Sequence, residues 1–295
     1  MGADLFRDDD WVRSTIRDLS ARTGEDLERL CLRGPERKLM RAAFVQPLLT
    51  TLCLGYWRRL TAAGVKADIV AGHSLGEIAA LAAAGALTPE QAIEVSLERG
   101  GLMDKAADRT PGGMAAVFLP LAEVEAHIAR LGMTDTVFVA NDNAPAQVVV
   151  AARTDALEAF VRGMEAVKPG LCKPLRVSGP WHTPLLDEAR ERFRDWLAGM
   201  PFAAPVLPML SNVTAGFEGT AEECRENAAW QLTRRVRWRE TMDGVRARGT
   251  GVLIEVGPRR VLAGLARLNG FGEATVVRGV DSLRAVAAVV SEQGF

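Results

Sequence analysis

Three observations predict an α/β fold for this chain. A glycine-flanked turn joins a short apolar run to an Ala-rich helix across residues 67–84, and strand-like and helix-like periods alternate through residues 114–177. The third is scale: 295 residues with 48% hydrophobic content can bury a large core. The reading is a core built on a parallel sheet, residues 1–112 and 178–295, interrupted by a ferredoxin-like subdomain at 113–177.

Taken in order, helical spacing of apolar residues places helices at 11–19, 42–63, 75–84 and 89–107, the last with Thr88 as N-cap before Pro89. Residues 67–71 are short and apolar, as a buried strand is. Beyond Thr110-Pro111-Gly112-Gly113 come strand 114–118, helix 121–131, strands 137–141 and 147–152, helix 155–164 and strand 171–177. That β-α-β-β-α-β order is ferredoxin-like. The core resumes with helix 184–197, strands near 208–211 and 252–256, and helix 260–268, and it closes with a strand at 274–280 and a helix at 283–291. A cleft between the two parts is the expected ligand site.

Composition excludes several function classes. A net charge of −1 gives no global field for nucleic acid. No apolar run reaches membrane-spanning length, and the charged start Asp8-Asp9-Asp10 is unlike a secretory signal. Cys31, Cys53, Cys172 and Cys224 are scattered without a Cys-x-x-Cys pair, so neither a zinc site nor a disulfide framework is expected. The expectation is a cytoplasmic protein without metal or redox cofactor.

The chemistry centres on Gly72-His73-Ser74-Leu75-Gly76-Glu77. In Gly-x-Ser-x-Gly between strand and helix, the glycines allow a sharp turn that lifts the serine hydroxyl into the open. The helix N-terminus behind it, with the Leu75 N–H, is placed to stabilise negative charge on an attacked carbonyl. Serine needs a base, and the chain has three histidines. His73 leaves the turn in another direction from Ser74. His127 falls beside the polar positions of helix 121–131. His182 sits on a rigid loop, Ser178-Gly179-Pro180-Trp181-His182-Thr183-Pro184, and is the candidate partner. No histidine follows it, which separates the chain from plain α/β-hydrolases, where the base comes late.

With these segments, with Leu97-Glu98-Arg99-Gly100-Gly101-Leu102-Met103, with Asn141-Asp142-Asn143 to Val150, with Trp230-Gln231-Leu232, Val236-Arg237-Trp238 and Ile254-Glu255-Val256-Gly257-Pro258, the chain resembles the malonyl-CoA:acyl carrier protein transacylases and the acyltransferase domains of fatty-acid and polyketide synthases. The resemblance covers nearly the whole length and implies a hydrolase-like core. It implies that Ser74 accepts an acyl group from coenzyme A and passes it to the phosphopantetheine thiol of an acyl carrier protein, with His182 as general base and acid. A backbone carbonyl at Gln231 would orient the histidine. Arg99 would hold the malonyl carboxylate, which a guanidinium fork can bind by two parallel bonds. His73, Met103, Asn143 and Trp181 would line the substrate pocket, Trp181 being large enough to disfavour methylmalonyl. Relatives make a monomer the default.

The start departs from the family. Its members open with a strand ending in Phe-x-Gly-Gln-Gly-x-Gln, whose first glutamine gives a second oxyanion N–H, whereas Met1 to Phe6 resemble the helix just after it. A start placed downstream of the family's motif is the expectation, checked by an in-frame Gly-Gln-Gly upstream in the nucleotide sequence. Two other readings compete: an acyl-thioester hydrolase of the same architecture, and an interaction subunit impaired by the missing strand. Arg234, Arg235, Arg237 and Arg239 around Trp238 read as a solvated helix entrance or as a docking patch for an acidic carrier.

Overall fold

A computed structural model describes residues 1–272 and 274–293. The chain opens with five helices, α1 (Ala3–Asp8), α2 (Asp10–Thr23), α3 (Leu27–Arg33), α4 (Glu36–Leu39) and the long α5 (Ala42–Ala62). The Asp9 and Asp26 side chains cap α2 and α3 by accepting from Val12 N and Arg29 N. Strand β1 (Val70–Ala71) leads through the glycine-flanked turn into α6 (Leu75–Ala83), and α7 (Pro89–Arg109) follows with a full Thr88/Gln91 capping box.

The middle of the chain is β2 (Gly112–Val117), α8 (Leu121–Arg130), β3 (Val137–Ala144), β4 (Gln147–Arg153), α9 (Thr154–Val167) and β5 (Cys172–Pro174). The four strands form one antiparallel sheet in the order β3-β4-β2-β5, the ferredoxin-like arrangement. Ala115, Val117, Val148 and Val150 face Phe160 and Met164 in one apolar cluster, while Met114, Ala116, Val149 and Ala151 join the main core. Burial on both faces explains why Gln147–Arg153 reads as an almost unbroken apolar run. Strand β5 is shorter than the expected 171–177: Leu175 N still donates to the Met114 carbonyl at 2.9 Å, but Val177 N turns back onto the Leu175 carbonyl at 3.0 Å, where the chain leaves the sheet.

The remainder is α10 (Asp187–Leu197), β6 (Met209–Leu210), β7 (Phe217–Glu218), α11 (Ala221–Trp230), α12 (Trp238–Ala247), β8 (Val252–Val256), α13 (Leu262–Leu268), β9 (Val276–Val280) and α14 (Leu283–Gln293). The expected parallel sheet occurs in two pieces among the described residues. In one, β1 pairs in parallel with β6 and β7 runs antiparallel beyond it; in the other, β8 pairs in parallel with β9. β1 is only two residues long, too short to carry one continuous sheet, and β1 and β8 each pair on one edge only. Both pieces still border the same two apolar layers: Val70 with Ile254 and Val256 on one side, Ala71 with Leu253 on the other. No described helix is long and apolar enough to cross a membrane.

Candidate active site

Ser74 is the N-cap of α6 and adopts φ 52° and ψ −115°, a left-handed conformation that non-glycine residues avoid. Asn212, just after β6, holds it there. Its Oδ1 accepts from Ser74 N at 2.6 Å and its Nδ2 donates to the Gly72 carbonyl at 2.6 Å, so one amide spans the turn. The two glycines are not equivalent. A Cβ on Gly72 would overlap the Gly76 carbonyl, whereas a Cβ on Gly76 would meet nothing within 4 Å. The turn therefore requires glycine only at its first position. Gly72→Ala is expected to abolish folding, and Gly76→Ala to keep a near wild-type melting temperature; thermal unfolding followed by circular dichroism checks both.

His182 faces the serine from the loop between β5 and α10, also with a positive φ of 61°. Its Nε2 lies 2.7 Å from Ser74 Oγ, and its Nδ1 lies 2.7 Å from the Gln231 carbonyl oxygen at the end of α11. A carbonyl only accepts, so Nδ1 carries the proton and Nε2 is left to accept from the hydroxyl. Burial, reinforced by the Arg99 charge, pushes the imidazole down to about 3, so it is neutral and base-competent near pH 7. The N–H of Leu75, at the first helical position, has no intrahelical acceptor.

Arg99 projects from α7 and is 1% exposed. Its Nη1 donates to Gln46 Oε1 and its Nη2 to Gln231 Oε1, each at 2.7 Å, while Nε has no partner among the described residues. The close approach that brings Gln46 of α5 to Arg99 depends on Gly100, where a Cβ would collide with the Ala42 carbonyl oxygen. Burial lowers the guanidinium to about 10, still cationic at neutral pH. Gln231 is thus shared: its main chain meets His182 and its side chain meets Arg99.

The other sequence candidates fall around this centre. His73 does not bond Ser74; its Nε2 pairs with Asn143 Oδ1 at 2.8 Å and its ring meets Trp238 edge-on at 5.2 Å. Asn143 is in turn fixed through its carbonyl by Asn269 Nδ2 at 2.8 Å. Met103, one turn beyond Arg99, accepts from Gln46 Nε2 at 3.1 Å. Trp181 is buried, its ring lying against Gly179, which also borders Ala107, two turns along α7 from Arg99. His127 is away from the centre, against Arg130.

Three residues to which the sequence gives no role belong to the centre: Asn212, Gln46 and Glu77. Glu77 is 1% exposed in the first turn of α6 and accepts from Asn212 N at 2.8 Å and from the Gln231 side-chain amide. Burial raises its carboxyl above the usual range and nearby Glu218 adds to this, against the pull of those two N–H donors and Arg99. Asn212 was detectable as a polar residue at the end of a predicted core strand. Glu77 closes the Gly72–Glu77 motif without a role of its own there, and Gln46 carries no signal, since it lies within a helical pattern.

The arginine cluster is largely engaged with acids. Arg235 pairs with Glu125 at 3.2 Å, Arg239 with Asp142 at 3.0 Å and Arg237 with Glu240, while Arg234 stacks on Trp230 at 4.1 Å. These pairs neutralise most of the charge that a docking patch needs.

A nucleophile on a strained turn, a neutral base oriented by a carbonyl and a buried cation beside them can move an acyl group through a serine ester. Known proteins agree. The acyl transferase domain family matches residues 1–274. The malonyl CoA-acyl carrier protein transacylase of Salmonella typhimurium is 33% identical over 87% of this chain and 84% of its own length. The polyketide biosynthesis malonyl CoA-acyl carrier protein transacylase PksC of Bacillus subtilis is 34% identical over 90% of both chains. Among solved structures, the Streptococcus pneumoniae enzyme of this type aligns with TM-score 0.87 and 30% identity over 99% of this chain and 95% of its own. A type II polyketide synthase acyl-carrier protein in complex with its malonyl-transacylase aligns with TM-score 0.90 and 32% identity over 99% and 94%. The chain belongs to the acyl transferase domain family and is an acyltransferase of the α/β class.

Proposed function

We propose that this chain transfers a malonyl group from coenzyme A to the phosphopantetheine thiol of an acyl carrier protein by a ping-pong cycle. Ser74 Oγ attacks the thioester carbonyl while His182 Nε2 takes its proton. The Leu75 N–H supports the developing oxyanion. Collapse breaks the C–S bond, and the imidazolium returns its proton to the departing coenzyme A sulfur. The carrier thiol then gives its proton to His182 and attacks the acyl-Ser74 ester, and the serine oxygen leaves with that proton. The proton traffic runs between protein and substrates alone, so the reading includes no metal or redox cofactor.

The observation that carries the malonyl assignment is Arg99, a buried guanidinium whose hydrogen-bonded partners are two neutral amides. Its charge is available for a substrate carboxylate, and acyl chains without one leave it unpaired. The same reading keeps His73, Met103, Asn143 and Trp181 as pocket residues, with malonyl preferred over methylmalonyl. Incubation with labelled malonyl-CoA and a holo acyl carrier protein is the test. Label is expected on the carrier, with a malonyl adduct on Ser74 by mass when the carrier is withheld. Free malonate as the main product would make the chain a hydrolase, and no adduct would make it an impaired subunit.

A further inference from the structure

Two side-chain amides aim Arg99, and an amide can present either its oxygen or its NH2. For Gln46 the choice is set by Met103, whose sulfur accepts the NH2 at 3.1 Å and leaves Oε1 for Arg99. For Gln231 it is set from α6. The Gln231 NH2 donates to the Ser74 carbonyl at 3.0 Å and to Glu77 Oε2, while Glu77 Oε1 accepts the Asn212 N–H at 2.8 Å. The Ser74 carbonyl and Asn212 N–H are main-chain groups that cannot exchange roles. The Glu77 and Gln231 side chains are buried, so no water can stand in for a lost partner.

We propose that Glu77 is a positioning residue for carboxylate selectivity: by accepting from both Asn212 N–H and the Gln231 amide, it fixes the Gln231 oxygen toward Arg99 and so keeps the guanidinium fork aimed. The inference rests on the reading of Arg99 as the carboxylate binder. The Gln231 carbonyl that orients His182 is main chain and does not depend on how its side-chain amide is turned, so Glu77 reaches the serine–histidine pair only through Asn212 and the Gln231 bond to the Ser74 carbonyl.

Glu77→Gln is nearly isosteric but offers one oxygen to two donors. Satisfying the Asn212 N–H then turns an NH2 toward the Gln231 NH2, and the Gln231 amide either keeps that clash or reverses, setting its oxygen against the Ser74 carbonyl and its NH2 against Arg99; either way the fork loses its fixed partner. Two reactions read the result: acylation of Ser74 by malonyl-CoA, and the burst of nitrophenol from 4-nitrophenyl acetate, which carries no carboxylate. Glu77→Gln is expected to lower kcat/KM for malonyl-CoA by about tenfold or more, mainly through KM. The acetate burst, which the loss of the Gln231 bond to the Ser74 carbonyl also touches, is expected to fall by a clearly smaller factor. Equal losses in both reactions overturn the proposal, since a purely structural role weakens both. Should Glu77→Gln fail to fold, Gln231→Met removes the same amide and keeps the carbonyl, with the same selective loss expected and the same parallel loss overturning it. Arg99→Ala is the control. If it too leaves malonyl-CoA unaffected, the reading of Arg99 has failed; if it acts and Glu77→Gln does not, only the role of Glu77 has.

Discussion

His182→Ala is expected to slow acylation of Ser74 by about 10⁴-fold, leaving only what the turn and the helix N-terminus supply. Neither other histidine can substitute, because His73 is held by Asn143 and His127 lies against Arg130. The wild-type pH profile should carry the mark of the site. Neutral imidazole is the active form, and burial with the Arg99 charge pushes its protonation from 6.5 down to about 3. The acylation rate should therefore hold steady as pH falls through 6.5, where an unshifted histidine would lose half its activity. The same shift makes the fold acid-sensitive. Below pH 6.5 the unfolded chain takes up a proton that the folded one refuses, so stability falls by about 1.4 kcal/mol per pH unit toward the folded value. Stopped-flow bursts with 4-nitrophenyl acetate between about pH 8 and about pH 5 check the rate; a break near 6.5 would show a histidine that is not buried as described.

The sequence exposes those parts of this architecture that rest on local patterns. Gly72 to Glu77 announce the turn because strand, glycine and Ala-rich helix are contiguous, and Thr88 with Pro89 marks the start of α7. The ferredoxin-like order was readable because each strand and helix there has its own period. Long-range geometry was not readable. The split of the parallel sheet depends on which strands lie side by side, and a two-residue strand such as Val70–Ala71 leaves little periodic signal. Helix α11 has a sequence mark in its Thr220/Glu223 capping box, whereas α12 shows only the helix entrance around Trp238, Arg237 supplying no side-chain cap. In the site, Ser74 and His182 were legible as chemistry, and the family resemblance supplied Arg99 and Gln231. The amide network of Gln46, Gln231, Asn212 and Glu77 was hidden, since it joins residues up to 154 positions apart and exists only once helices α5, α6, α7 and α11 have met.

Arg99→Ala is expected to divide the reactions of the site in opposite directions. Malonyl-CoA loses two charge-assisted hydrogen bonds, so its kcat/KM should fall by about 10²–10³-fold. An ester without a carboxylate loses nothing and gains a better base, because the Arg99 charge is second only to burial in holding His182 down. Its burst rate should stay level or rise. On the proposed reading the same physics extends to turnover: a carboxylate seated on Arg99 offsets the guanidinium's part in holding His182 down, while burial continues to act, so the substrate that fits the fork also makes the imidazole more basic. Charge recognition then appears in kcat as well as KM. Arg99→Lys separates the two contributions, since lysine keeps the charge but not the planar fork. It should depress His182 as arginine does while binding the carboxylate less firmly, leaving the ester burst near wild type and the malonyl reaction between wild type and Arg99→Ala. Equal losses for both substrates in Arg99→Ala would mean that the guanidinium serves the fold and not the choice of acyl group.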